Sequence, residues 1–194
     1  MRATPYELSF EVAELPEAVE DAICDAFDAV VATHSGVTTV TFEATGDTCV
    51  EAAITASHKF RDLGASPIRL VDDVVTRTEI ARRAGVTPQA VGQWIRGERH
   101  ADSQFPAPFI LTGGGLWLWG EVVEALAERG LILNEGVRYP TRRDSQLIGG
   151  TLAKRMSKPG DVLIFATFDG LTTRGPARVQ VPVNTNRTSF ALIA

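Results

Sequence analysis

Gln89 and Gln93 stand four residues apart, one helical turn, and Thr87, Ala90 and Arg96 fall on the same side of that turn. A carboxamide can pair bidentately with adenine, a guanidinium with guanine or a phosphate, and an alanine is short enough to approach a thymine methyl. Projected from one helix, these five side chains would read base edges in the major groove of double-stranded DNA. Arg77, Arg82 and Arg83 lie on the preceding helical segment, which in such an arrangement crosses the phosphate backbone. Bond-making chemistry has less to stand on. His34, His58 and His100 are scattered over three elements with no nucleophile motif beside them. Cys24 and Cys49 have neither metal nor redox spacing, and Gly149-Gly-Thr151 followed by Lys154 lacks the spacing of a phosphate-binding loop. The residues therefore predict no enzyme, no metal and no cofactor.

The elements that would hold the five side chains are well specified. Thr76 and Glu79 have capping-box spacing, and Val75 with Ile80 the spacing of a hydrophobic staple, so a helix starts at Arg77. Ala81 is small where two helices would cross closely. Gly85 sits where a tight inter-helix turn calls for a positive φ. Thr87 can cap the next helix, with Pro88 at its first position. Ile80, Ala84, Val86, Val91 and Trp94 then supply apolar contacts between the two helices, which makes Trp94 a core residue rather than a base-stacking platform. The pattern is that of a DNA-binding helix-turn-helix; a helical hairpin used for protein contact would need the same packing.

Downstream, Pro106 and Pro108 exclude a helix interior. Phe109–Thr112 and Leu116–Trp119 read as short strands around Gly113-Gly114-Gly115, with Trp117 and Trp119 on one strand face. Gly120 precedes a helix from Glu121 to Arg129 that Gly130 stops. Phe105-Pro-Ala-Pro108, the hairpin and Leu116-Trp-Leu-Trp119-Gly-Glu-Val122 look like the second half of a winged helix. Together with Glu79-Ile-Ala81 and Gly92-Gln-Trp94-Ile-Arg-Gly97, the segment resembles small bacterial regulators of the MerR and AlpA/excisionase group, of the type that places an α+β domain before the reader. The resemblance covers residues 4–130, thins toward Ala153 and does not extend beyond. It implies DNA binding as a dimer or cooperatively, with Arg99, His100 and the Gly113–Gly115 tip as wing contacts on the backbone or minor groove. The long C-terminal coiled-coil helix of MerR regulators is missing, so neither their dimer mode nor their promoter twisting carries over.

Before this reader, Tyr6, Leu8, Phe10 and Val12 alternate with polar residues, the period of a half-buried strand. A helix follows Pro16, with Val19, Ile23, Ala26 and Phe27 inward. Ala29–His34 and Val37–Ala44 flank a Ser35-Gly36 turn. Asp47 can cap a second helix whose inner face is Val50, Ala53, Ile54, Ser57 and Phe60, and Pro67–Val71 is a last strand. The order β-α-β-β-α-β is that of the ferredoxin-like split sandwich; a first helix running on through Val30 and Val31 would give β-α-β-α-β instead. After residue 134, Thr141 and Asp144 have capping-box spacing before a short helix, Ser145–Arg155, interrupted by Gly149-Gly150. Asp161–Phe168, Ala177–Val183 and Thr188–Ile193 read as strands. The expected organisation is an α+β domain over 1–72, a winged helix-turn-helix over 73–133 and a β-rich tail over 134–194.

Charge is divided along the chain. Residues 1–75 carry 4 basic and 14 acidic side chains, residues 76–133 carry 6 of each, and residues 134–194 carry 9 basic and 4 acidic. The overall −5 therefore does not exclude a nucleic-acid partner, because an acidic domain is joined to parts that can approach phosphates. With no basic-then-apolar leader and no apolar run of spanning length, a cytoplasmic location and no membrane contact are expected. Three functions fit: a transcription regulator with an N-terminal dimerisation or sensing domain that could take a small effector, an excisionase-like DNA-bending factor, or an adaptor whose helix pair docks protein.

Overall fold

A computed structural model of the chain describes residues 3–98, 104–133 and 136–156. Strand β1 (Thr4–Val12), helix α1 (Glu17–Phe27), strands β2 (Val30–His34) and β3 (Val37–Gly46), helix α2 (Cys49–Asp62) and strand β4 (Pro67–Leu70) form the first half. The strands make one antiparallel sheet in the order β2-β3-β1-β4. The chain cannot continue α1 into Val30 because Asp28 takes left-handed angles (φ 50°, ψ 48°) and ends it. Ser35 and Gly36 both have positive φ, as a two-residue hairpin turn requires. That turn sets the β2–β3 register, with His34 opposite Val37 and Val30 opposite Thr41.

Along β1 the buried positions are Tyr6, Leu8, Phe10 and Val12. They pack with Val40 and Phe42 of β3 against the helices. Phe10, Phe27, Phe42 and Phe60 meet at ring-centroid separations of 5.0–5.6 Å, a geometry that favours tilted aromatic pairs. The opposite face is largely polar: Ser9 and Thr41 share a hydrogen bond of 2.7 Å and Glu11 pairs with Arg69, with Val30 of β2 exposed beside Thr41.

Two expectations about α2 need correction. Its cap is Thr48 rather than Asp47. Thr48 is the last extended residue, and its hydroxyl accepts from Glu51 N–H, while the Asp47 N–H is held by the Glu51 carboxylate. The buried face is Cys49, Ala52, Ala53, Ala56, Ser57 and Phe60, with Val50 and Ile54 only half-buried. The face is wider and rotated because α2 packs on two sides. Beneath it lies the sheet, and beside it lies helix α6 (Arg142–Met156), which also packs on β4. Ile148 and Leu152, four residues apart on α6, are fully buried in this first core. The helix expected in a separate tail thus completes the N-terminal half. It begins at Arg142 behind a made capping box, in which Thr141 N–H donates to the Asp144 carboxylate and Asp144 N–H to the Thr141 hydroxyl, and it runs unbroken through Gly149-Gly150. The three strands expected beyond residue 160 lie outside the described residues.

The second half contains β5 (Val74–Val75), α3 (Arg77–Arg83), α4 (Pro88–Ile95), β6 (Trp117–Leu118) and α5 (Trp119–Glu128). The described residues therefore build a mixed α+β protein with an antiparallel sheet and six α-helices. A second core gathers Val75, Ile80, Ala81, Val91, Trp94, Phe105, Trp117, Trp119, Val122 and Leu126. The hairpin expected around the glycines shrinks to one bridge, Ile110 with Leu116, about a single 3-10 turn at Thr112–Gly114. Pro106 and Pro108 have no N–H to extend that ladder, and Trp117–Leu118 pair instead with Val74–Val75. Trp119 is the first residue of α5, not a strand residue, because its N–H is taken by Asp73 C=O and the helix starts there.

A strap links the halves. Arg138 N–H donates to Pro5 C=O and Glu7 N–H donates to Arg138 C=O, so the strap lies parallel beside β1. Tyr139 packs edge-on against Trp119, with centroids 6.3 Å apart. A side chain at Gly120 would collide with the Pro140 carbonyl, so glycine there lets α5 approach the strap.

Candidate nucleic-acid interface

Helices α3 and α4 are held by their caps and by their shared apolar side. The Thr76 hydroxyl accepts from Glu79 N–H and the Thr87 hydroxyl from Ala90 N–H, each at 3.2 Å. Gly85, at φ 64°, turns the chain between them, and Val86 N–H donates to Ala81 C=O. Ile80, Val91 and Trp94 are buried between the helices, and Trp94 stacks on Phe105 at 6.3 Å. The indole of Trp117 donates to Pro106 C=O at 3.0 Å, which fixes the Phe105–Pro108 segment beneath the helix pair.

The outward side carries the side chains singled out above. Thr87 and Gln89 are exposed, and Gln93 is half-exposed. Ala90, expected on the exposed face, is instead partly buried against the second core, because the helix turns its Cβ toward the packed side. The Thr87 hydroxyl is committed to its cap. Arg77, Gln89, Gly92, Gln93 and Arg96 line one shallow notch of about 400 Å³ with Pro88 at its rim. Arg99 and His100 lie outside the described residues. Of the expected tip only Gly113 and Gly114 are exposed; Gly115 is buried against the Trp117 ring, which leaves it out as a wing contact, and beside the tip Leu111 is 83% exposed.

Carboxylates from the same chain occupy most of the arginines. Glu79 receives Arg82 through two hydrogen bonds, at 2.7 and 2.9 Å, and Arg83 Nε at 2.9 Å. These donors, Arg82 before Arg83, hold the Glu79 carboxyl down at about 2. The reciprocal half of the capping box is therefore not made: the Glu79 carboxylate turns to the arginines. Arg83 also forks onto Asp73 and lies over the Trp119 ring at 4.9 Å, so it is built into the fold. Glu98 takes Arg96 Nε at 2.6 Å and Nη2 at 3.0 Å, which lowers its own carboxyl. Among the described residues Arg77 has no acidic partner. The Glu79 pairs were legible as i,i+3 and i,i+4 spacings; the parts of Asp73 and Glu98 were not.

No protein-family model, no curated protein and no solved structure matches this chain. Among the described residues no group of three His, Cys, Asp or Glu side chains could hold a metal ion. No helix there is long and apolar enough to cross a membrane.

Proposed function

We propose that the chain is a sequence-specific double-stranded-DNA-binding protein that regulates transcription in the cytoplasm, with its first half a ferredoxin-like split sandwich and its second a winged helix-turn-helix of the MerR and AlpA/excisionase type. The supporting observation is the surface of α3–turn–α4. Two glutamines one turn apart and two arginines line a single notch, while the opposite side of the same helices carries Trp94 into the core. A side chain set of this kind combines base-edge hydrogen bonding with backbone charge, the two components of groove recognition. In this reading Gln89 and Gln93 read bases, Arg77 and Arg96 meet the backbone or guanine, and Arg82 is a peripheral phosphate contact that must first leave Glu79. The protein acts as a homodimer through its first half, which also offers a place for a small effector.

Selection of bound sites from random duplexes with the full chain tests the reading. Enrichment of one motif is expected; a chain that enriches nothing and shifts no duplex at low salt would sink it. A second reading, an adaptor that docks protein through α3 and α4, draws on one observation: Arg82, Arg83 and Arg96 are already paired with the chain's own carboxylates, which leaves this surface near neutral. The same selection separates the two.

A further inference from the structure

Glycine at position 92 leaves the floor of the notch bare, and two guanidinium groups come in over it. A Cβ at Gly92 would lie 3.3 Å from Arg96 Nη1 and 3.8 Å from Arg77 Nη1. Both nitrogens thus flank one spot, although they come from different elements, the first residue of α3 and the residue that ends α4. Glu98 offsets the charge of Arg96, whereas Arg77 has no acidic partner among the described residues, so the pair keeps a net positive charge over the spot. Arg96 is held for the purpose: Glu98 takes its Nε and Nη2, and Nη1 is the nitrogen left over the notch. Gln89 and Gln93 supply neutral donors at the rim.

Resting on the DNA-binding reading, we propose that Arg77 and Arg96 form one composite site for a single backbone phosphodiester of the duplex, with Gly92 as its floor. A phosphodiester presents two charged, unesterified oxygens, one for each guanidinium, and charge-assisted bonds of this kind are the stronger class. A base edge is the poorer occupant, because Arg77 belongs to the helix that crosses the backbone. Phosphate held here would set the register in which Gln89 and Gln93 address the groove. Gly92 makes the idea separable from folding. An added methyl meets, within 4 Å, only the side-chain ends of two arginines, and alanine is the better helix former.

The test measures affinity of the full chain for a fluorescent duplex across a salt series, for the native protein, R77Q, R96Q, R77Q/R96Q and G92A. Either arginine variant should lose about five- to twentyfold in affinity, and the double variant little more than one of them. All three should flatten the salt dependence by about one unit of slope, since one phosphate is shared. G92A should melt no lower than the native chain and still lose several-fold in affinity. Losses that multiply in the double variant, with about two units of slope gone, would show two separate contacts and overturn the proposal. So would G92A binding at native strength. Inorganic phosphate, titrated alone at constant ionic strength, is the second arm. Saturable binding that R77Q/R96Q abolishes, with duplex affinity unchanged in that variant, would assign the notch to a free anion instead. A native chain that binds no duplex defeats the DNA-binding reading and this site with it; a native chain that binds, beside an R77Q/R96Q variant that binds equally well, defeats the site alone.

Discussion

At the scale of single residues, α4 divides its labour by side. Trp94 is 6% exposed and stacks on Phe105, which in turn meets Trp117 edge-on at 6.4 Å. Trp94→Ala empties that slot, and we expect a loss of about 3–5 kcal/mol by chemical denaturation; a variant of native stability would mean the indole is not a core group. Gln93, on the other side, makes no core contact that the fold depends on. Gln93→Ala should leave the melting temperature within about a degree or two of native, as surface substitutions do, yet change the motif recovered from random DNA. An unchanged motif would remove Gln93 from base reading. Arg82→Ala should weaken all duplexes about equally, and modestly, because Glu79 already competes for this guanidinium.

At the scale of elements, two features tie stability to solution conditions. The first is the Glu79 cluster at the head of α3. A carboxyl ordinarily near 4.5 is held at about 2 in the folded chain, so folding favours its ionised form. That contribution is fully present above pH 4.5 and is lost as pH falls toward 2. Glu79→Gln should therefore melt lower than the native chain at neutral pH, with the gap closing between pH 4.5 and 2; a gap independent of pH would rule out the charge as its source. The second is α6 against α2. Cys49, at the start of α2, is 4% exposed, and burial first, then the Asp144 carboxylate of α6, pushes its thiol up to about 12. Alkylation of Cys49 needs both access and a thiolate, and so reports on whether α6 is docked. Leu152→Ala should destabilise the chain by about 2–5 kcal/mol and speed Cys49 labelling under native conditions. Unchanged labelling beside lowered stability would show that Cys49 is reached through a local opening that α6 does not gate.

For the whole molecule, the described halves are joined by the strap and by charge at the boundary. Glu7 of β1 has its carboxyl raised by burial first, then by Asp73 and Glu43, with Arg83 opposing. Asp73 and Arg83 belong to the ion-pair cluster of α3, so the sheet and the helix pair share an electrostatic environment. Tyr139 on Trp119 and Pro140 against Gly120 add packing that a fragment over 73–133 would lack. Such a fragment should melt below the same residues in the full chain, and extension through residue 141 should recover only part of the difference, since β1 is the strap's other partner. In calorimetry of the full chain the two halves should melt together; separate transitions that fragments assign to each half would mean the strap does not couple them. If the first half dimerises as proposed, the fragment should also lose specific relative to nonspecific affinity at physiological salt, because it lacks that half and sheds its acidic charge.

What the sequence by itself determined is local. Thr76, Gly85, Thr87 and Pro88 act through their own backbone or a neighbour three residues away, so the two helices and their turn could be read from chain order alone. The same holds for the alternation in β1, the Ser35-Gly36 hairpin and the Thr141–Asp144 box. Tertiary structure decided what depends on which surface comes to meet which. The inner face of α2 turned toward a second neighbour, α6, far downstream, whose capping box announces a helix but whose buried side is marked only by Ile148 and Leu152 one turn apart. Trp117–Leu118 left the glycine hairpin for β5, where a partner strand had free hydrogen bonds. The convergence of Arg77 and Arg96 over Gly92 had no signature in spacing, because it joins two helices through the crossing that Ile80, Val91 and Trp94 impose. A side chain's cap is set by its immediate neighbours, whereas its partner across the fold is set by packing, and only the folded chain supplies that.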